Sequence, residues 1–175
     1  MSAATEASAA IELPWLADPE FCCFGCSPRN PVGMALTMVR LADGRVASYN
    51  TFSEEYASYP GVVHGGIVAA LVDEVMGDLV ALDQGLLAFL VTLRTRMMLP
   101  LRTGVRYCTA ARIAKIGNGL LHTEADVTGP DGEIRVTASA TYQPIRSEQA
   151  VSTMGFNASQ LDRDRHYFDH KIGLT

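Results

Sequence analysis

The chain has 175 residues, of which 48% are hydrophobic and 19% charged, and its formal net charge is −5 at pH 7. This length and composition suit one soluble globular domain with a sizeable core, and they exclude a disordered chain. The negative charge argues against a nucleic-acid partner, because proteins that bind nucleic acid usually present a basic surface. No apolar run reaches the ~18 residues of a membrane-spanning helix, so no membrane association is expected.

Both ends of the chain differ in composition from its middle. Residues 1–20 are rich in Ala, Ser and Glu and predict a flexible N-terminal segment, although Trp15 is able to dock on the body. This segment has neither a basic start nor an apolar core, so it is not a secretory signal, and a cytoplasmic location is expected. The folded domain is predicted over 21–146. The polar residues 147–175 are predicted to form a C-terminal tail that is able to contain a short helix capped by Asn157.

The chain contains four cysteines, two of which, Cys23 and Cys26, form a CxxC pair. A structural zinc site usually needs two such pairs, or one pair and two histidines. We therefore predict no metal, and we interpret the cysteines as reduced thiols that line a buried N-terminal loop.

Beyond Met34 the pattern becomes that of strands around one helix. ALTMVRL and RVASYNTF flank Ala42-Asp43-Gly44, which is a hairpin signal. An apolar helix is predicted over about 65–84 and ends at Gly85. The next strand predicted is LAFLVTLRTRMML, which runs to Pro100.

The last three strands are predicted to form an antiparallel meander. VRYCTAARIAKI and LLHTEADVT are joined at Asn118-Gly119, and EIRVTASATYQP follows Asp131-Gly132, where these residue pairs supply the positive φ of tight turns. Apolar and polar residues alternate in the final strand, so one face should be buried. About six antiparallel strands and one long apolar helix predict an α+β fold, in which a curved antiparallel sheet wraps around the central helix.

The predicted helix carries carboxylates in its apolar middle. Glu74 and Asp78 share one face, which two like charges would keep in water. Asp73 points elsewhere, because successive positions are ~100° apart. Its neighbours one turn away are mostly small: Ala69, Ala70, Met76 and Gly77. Asp73 is therefore either satisfied by hydrogen bonds at a subunit contact or accessible to a ligand.

Two glycines open this helix. Gly65 and Gly66 can bring bare N–H groups to a helix N-terminus, which is the construction of an oxyanion hole. His64 could brace the loop, cap the turn or bind substrate. Gly66 and Asp73 lie ~10 Å apart along the helix, too far to act on one carbonyl. If both serve one reaction, two antiparallel helices of a homodimer must share the sites.

Three motifs resemble the PaaI-like branch of the hotdog-fold thioesterase superfamily. They are CFGCSPRNPVGMAL, YPGVVHGGIVAALVDE and LRTRMMLPLRTG, and the resemblance runs from about residue 23 to 145. It implies a hotdog fold that hydrolyses acyl-coenzyme A at a dimer interface, with dimers that often pair into tetramers. It implies no metal or redox cofactor, since coenzyme A is part of the substrate.

The resemblance also implies roles for individual residues. Asp73 would be the base that activates water, or the nucleophile. Gly66 or Gly65 would donate to the oxyanion, and His64 would hold that loop or the thioester oxygen. Thr92 is the first candidate for a water-positioning hydroxyl. The substrate-binding candidates are Ser58, Tyr59, Arg94 and Arg96, the arginines as partners of the coenzyme A phosphates.

Two further functions compete with the thioesterase. A hotdog hydratase or dehydratase would pair His64 with an acid across the dimer. A non-catalytic binder of acyl-coenzyme A would leave Asp73 a structural role, although an unpaired buried carboxylate is costly.

Overall fold

The computed structural model describes residues 10–146 together with residues 149 and 152. The chain begins with β1 (Ala10–Ile11), a 3-10 turn (Pro14–Ala17), β2 (Met38–Arg40) and β3 (Val46–Thr51). A 3-10 turn (Glu54–Tyr56), β4 (Ala57–Tyr59), β5 (Val62–Val63) and helix α1 (Gly65–Gln84) follow. The last strands are β6 (Ala88–Met97), β7 (Arg106–Gly117), β8 (Leu120–Thr128) and β9 (Ile134–Pro144). No helix among these residues is long and apolar enough to cross a membrane.

Seven of the strands form one antiparallel sheet that packs on α1. Their order is β1-β2-β3-β7-β8-β9-β6, and β4 pairs with β5 in a separate small ribbon. The helix contacts β3, β6, β7, β8 and β9, so it lies across the sheet as the hotdog fold requires. The predicted α+β architecture is confirmed, and α1 is the one long helix among the described residues.

Local sequence explains where α1 begins and ends. Its bounds, Gly65–Gln84, match the predicted helix. His64 lies at the N-cap with extended backbone, and Gly85 takes the left-handed conformation with φ of 62° at the C-cap. A glycine is favoured at this C-terminal position because it has no Cβ to clash.

The predicted meander is confirmed. β7, β8 and β9 pair in sequence order, and the turn between β7 and β8 has positive φ at Asn118 and Gly119. The alternation in β9 also holds, since Val136, Ala138, Ala140 and Tyr142 are buried toward α1. Ile134 is 44% exposed because it begins the strand, outside the cover of the helix.

The described part of the N-terminal segment packs on the domain. Ala10 and Ile11 pair with Val39 and Met38 of β2. Trp15 is buried, in agreement with the expectation that it is able to dock on the domain. The division of the chain into 1–20, 21–146 and 147–175 stays a prediction. The short helix predicted from Asn157 lies outside the described residues.

Candidate functional site at the N-terminus and middle of the central helix

The N-terminus of α1 is closed by its own histidine. The Gly66 N–H donates to Nδ1 of His64 at 2.9 Å, while the N–H groups of Ile67 and Val68 donate to the His64 carbonyl oxygen. Nδ1 is the acceptor of this bond, which leaves Nε2 as the ring nitrogen available to a second partner. The capping role considered for His64 is therefore present in the structure.

This arrangement leaves one free donor at the start of the helix. The Gly65 N–H forms no hydrogen bond to any residue that the structure describes, whereas the Gly66 N–H is occupied by the histidine ring. A side chain at Gly65 would meet only the end of Met97, at 3.5 Å. The free N–H and the helix dipole both favour a negatively charged oxygen here.

An apolar cavity of about 310 Å³ adjoins Gly65. Ser58 and Tyr59 line it from β4, and Met97, the last residue of β6, lines it together with Met98. The structure thus brings the two predicted substrate-binding residues of β4 together with the predicted oxyanion donor.

Asp73 lies in the middle of α1, and a residue of the sheet holds its side chain in place. The hydroxyl of Tyr142 donates to Asp73 Oδ1 at 2.6 Å and lies 2.9 Å from the Asp73 carbonyl oxygen. Burial raises the pKa of the half-buried Asp73, and the hydrogen bond from Tyr142 opposes that rise. Burial and the neighbouring Asp73 charge raise the pKa of Tyr142, so this phenol stays protonated as a donor.

Tyr142 is a candidate site residue, through its contact with Asp73, that the sequence motifs did not single out. Period-2 alternation placed it on the buried face of β9, but gave no reason to distinguish it from Ala138 or Ala140. The only available signal was chemical, because a buried tyrosine hydroxyl needs a hydrogen-bond partner. The ring lies over Gly77, where an added Cβ would make an ordinary contact with it at 3.8 Å.

Three further predicted site residues lie on the other face of the sheet. Thr92, Arg94 and Arg96 are paired with Thr141, Ser139 and Thr137, which alternate with the buried residues of β9. This confirms that Thr92 shares a strand face with the two arginines, and it separates all three from Asp73 by the thickness of the sheet. Within one chain the structure therefore does not bring Thr92 to Asp73.

The outer face carries a polar cavity of about 430 Å³. Arg94 and Arg96 line it together with Arg112, which forms an ion pair with Glu124. The cluster is cationic but partly neutralised, so it is a weaker anion site than the number of arginines alone would indicate.

The expectation that Glu74 and Asp78 remain in water is wrong. The N-terminal loop covers this face of α1, so that Asp78 is buried and Cys23 Sγ lies 3.3 Å from Glu74 Oε1. Burial raises the pKa of Glu74 to about 7 and that of Asp78 well above its usual range. The hydrogen bond from Cys26 lowers the pKa of Cys23 and raises that of Cys26 itself.

Known proteins resemble this chain in sequence and in fold. The family model of the thioesterase superfamily matches residues 60–136. Acyl-coenzyme A thioesterase 13 of Homo sapiens is 30% identical over 94 residues, which make up 53% of this chain and 67% of that protein. The same protein of Pongo abelii matches equally.

Solved structures of other proteins are also similar to this chain in fold. The BH2602 protein from Bacillus halodurans, solved with CoA, is 26% identical with a TM-score of 0.56, over 63% of this chain and 74% of that one. A thioesterase superfamily protein at 24% identity and a TM-score of 0.61 shares the fold over 66% of this chain. The match spans only 57% of that protein's length.

Proposed function

This chain belongs to the thioesterase superfamily and is a thioester hydrolase, and from this premise we propose that it hydrolyses acyl-coenzyme A at a site shared by two copies of the chain. The choice of substrate is supported by a relative named acyl-coenzyme A thioesterase 13 and by the CoA-bound structure of the BH2602 protein. Assignment to the PaaI-like branch rests on the motifs around His64 and Cys23.

The observation that carries this proposal is the carboxylate of Asp73 held in place by Tyr142. Only Oδ1 has a hydrogen-bond partner among the residues that the structure describes, so Oδ2 is the oxygen left to accept a proton. The carboxylate is half-buried and its pKa is raised, which makes it a stronger base than an exposed aspartate. These properties suit the activation of a water molecule.

In the reaction proposed here, Asp73 accepts a proton from water while the water oxygen bonds to the thioester carbonyl carbon. The carbonyl oxygen becomes negative and accepts a hydrogen bond from Gly65 N–H at the N-terminus of the partner's α1. The C–S bond then breaks and the carbonyl re-forms. The coenzyme A sulfur leaves with the electron pair and receives the proton from Asp73, so the products are a carboxylic acid and a free thiol.

The partner is needed because Asp73 and Gly65 are eight positions apart on one helix, which corresponds to ~12 Å. The chain has surfaces suited to self-association. β6 is an edge strand of ten residues, and the side of α1 at Ala70, Asp73 and Gly77 is only half-buried. Unpaired edges of this length are usually covered. A homodimer follows from this proposal, and pairing of dimers into a tetramer stays a prediction.

The remaining site residues would hold the substrate. Ser58 and Tyr59 border the apolar cavity next to Gly65, which suits the acyl chain or the pantetheine arm. Arg94 and Arg96 line the polar cavity on the outer face of the sheet, and they are the cations of β6 that we assign to the phosphates. His64 keeps the Gly65–Gly66 backbone in position through the hydrogen bond that it accepts from Gly66 N–H.

Release of free thiol from a panel of acyl-coenzyme A substrates tests this function. Asp73→Asn keeps the size of the side chain but removes the base, and kcat should fall by ~10²–10⁴-fold. The matched control is Asp43→Asn, in an exposed hairpin turn, which should keep wild-type turnover. Unchanged thiol release by Asp73→Asn would contradict the role of Asp73. Hydration of an enoyl-coenzyme A without thiol release would indicate a hydratase, and binding without turnover would indicate a binding protein.

A further inference from the structure

A cluster of potential metal ligands lies where the N-terminal loop packs on α1. The Sγ atoms of Cys23 and Cys26 and one carboxylate oxygen of Glu74 all lie within 4.8 Å of one another. Cys23 Sγ is 3.3 Å from Oε1 and 3.5 Å from Oε2 of Glu74. The cysteines come from the N-terminal loop and the glutamate from the helix, 51 positions beyond Cys23.

The backbone of the N-terminal loop lies close to both Cys23 and Glu74. The Gly25 N–H donates to Cys23 Sγ at 3.2 Å, in the way that backbone amides support metal-bound thiolates. A Cβ at Gly25 would lie 2.1 Å from Cδ of Glu74, so the carboxylate packs directly on the loop backbone. Hydrogen bonds from Met34 N to Phe24 O and from Leu36 N to Gly25 O fix the loop on its other side.

Charge balance supplies an independent observation. Asp78 is one helical turn beyond Glu74, is 7% exposed, and has no hydrogen-bond partner for Oδ2 among the described residues. It lines the same cavity of about 210 Å³ as Cys23, Cys26 and Glu74, and no Lys, Arg or His of the described chain lines that cavity. Asp78 and Cys26 are buried and Glu74 and Cys23 are half-buried. Two carboxylates this close together are costly to ionise without a cation, and a divalent cation would compensate them and two thiolates.

We propose that Cys23, Cys26 and Glu74 bind a zinc-class divalent cation, with Asp78 orienting a water molecule in the fourth position. Two thiolates with one carboxylate favour Zn²⁺ over the hard cations, and Zn²⁺ prefers a tetrahedral arrangement that these three ligands and one water complete. Asp78 lies outside the 4.8 Å group, which suits a hydrogen bond to the water better than direct ligation. Binding displaces the thiol protons to solvent.

The cation would fasten the N-terminal loop to the turn of α1 that also carries Asp73. Glu74 follows Asp73 directly but projects ~100° away from it, so the metal lies outside the reaction proposed above. Its expected effect is to stabilise the fold and the position of the helix. This site is therefore independent of the proposed thioesterase activity and can fail without affecting it.

Metal content of the full chain tests the site. The protein is reduced, loaded with Zn²⁺ and desalted, and elemental analysis should then find about one zinc per chain. Replacement by Co²⁺ should give thiolate-to-cobalt charge-transfer absorption. Zn²⁺ should also raise the Tm of the wild type.

Variants assign the ligands. Cys23→Ser and Glu74→Gln should each weaken Zn²⁺ binding by ~10-fold or more, because each removes one ligand atom or its charge. Cys22→Ser and Cys108→Ser, the matched controls, should bind as the wild type does. If Glu74→Gln does not fold, the cobalt spectrum of Cys26→Ser decides, since loss of one thiolate reduces the charge-transfer band.

Three results would overturn the proposal. The first is a reduced, folded wild type that retains neither Zn²⁺ nor Co²⁺. The second is undiminished binding by Cys23→Ser, which would place the metal elsewhere. The third is a Cys23–Cys26 disulfide that, once reduced, takes up no metal, which would make the pair a redox site.

Discussion

At the scale of single residues, the contact between Tyr142 and Asp73 determines what the helix carboxylate can do. The hydrogen bond of 2.6 Å fixes Oδ1 and leaves Oδ2 for a proton. Tyr142 positions Asp73 without touching the reacting atoms in the mechanism proposed here. Its effect should therefore appear in kcat more than in KM.

Tyr142→Phe should lower kcat by ~10-fold or more with KM little changed, because Asp73 loses the donor that orients it. Loss of one buried hydrogen bond should also lower the free energy of unfolding by about 1–2 kcal/mol. Steady-state kinetics and urea unfolding measure the two effects. The matched control is Tyr49→Phe, on the face of β3 turned away from α1, which should leave kcat unchanged. Equal kcat for Tyr142→Phe and the wild type would remove Tyr142 from the site.

At the scale of elements, the N-terminus of α1 offers a substitution that removes a single N–H group. Gly65 is the first helical residue, where proline is favoured, and His64 before it already has the extended backbone that a following proline requires. Gly65→Pro should therefore keep the fold and lower kcat by ~10²–10³-fold, the usual loss for one oxyanion donor.

Gly65→Ala is the control for this change, because it adds a Cβ at an ordinary contact distance from Met97 but keeps the N–H. It should retain most of the activity. If the alanine variant were as inactive as the proline variant, the bulk of the side chain and not the missing donor would explain the loss.

The edge strand β6 should carry the association of two chains. Val91 is 46% exposed in this strand, and Val91→Glu should weaken the dimer because it places a charge on an apolar contact. Light scattering after size exclusion measures the mass, and thiol release should fall with the dimer fraction. Ile116→Glu is the control, since Ile116 is 52% exposed on β7, away from this edge. A stable Val91→Glu dimer would place the interface elsewhere.

At the scale of the whole molecule, a shared site predicts complementation between two inactive variants. A mixed dimer of Asp73→Asn and Gly65→Pro has one site in which both residues are intact. After unfolding together and refolding, random pairing should restore about a quarter of wild-type activity. Each variant refolded alone is the control. No recovery from verified mixed dimers would show that each chain holds a complete site.

Local patterns in the sequence predicted the elements well. Gly85 and the apolar run placed α1, and Asn118-Gly119 placed a tight turn between β7 and β8, because helix ends and tight turns depend on neighbouring residues only. Alternation also assigned Thr92 and the two arginines to one face. It could not reveal that this is the face turned away from the helix, since that depends on how β6 joins the sheet.

By itself, the sequence determined the helix, the meander and the position of Asp73 beside small residues, through periodicity and turn chemistry. Only the tertiary structure decided what Asp73 and Glu74 contact. Tyr142 lies 69 positions from Asp73, and Cys23 lies 51 positions from Glu74. Such contacts arise from strand register and loop packing, which bring distant residues together, so no local pattern encodes them. For this reason the CxxC pair alone did not predict a metal site. The third candidate ligand, Glu74, comes close to the two cysteines only when the N-terminal loop packs on the helix.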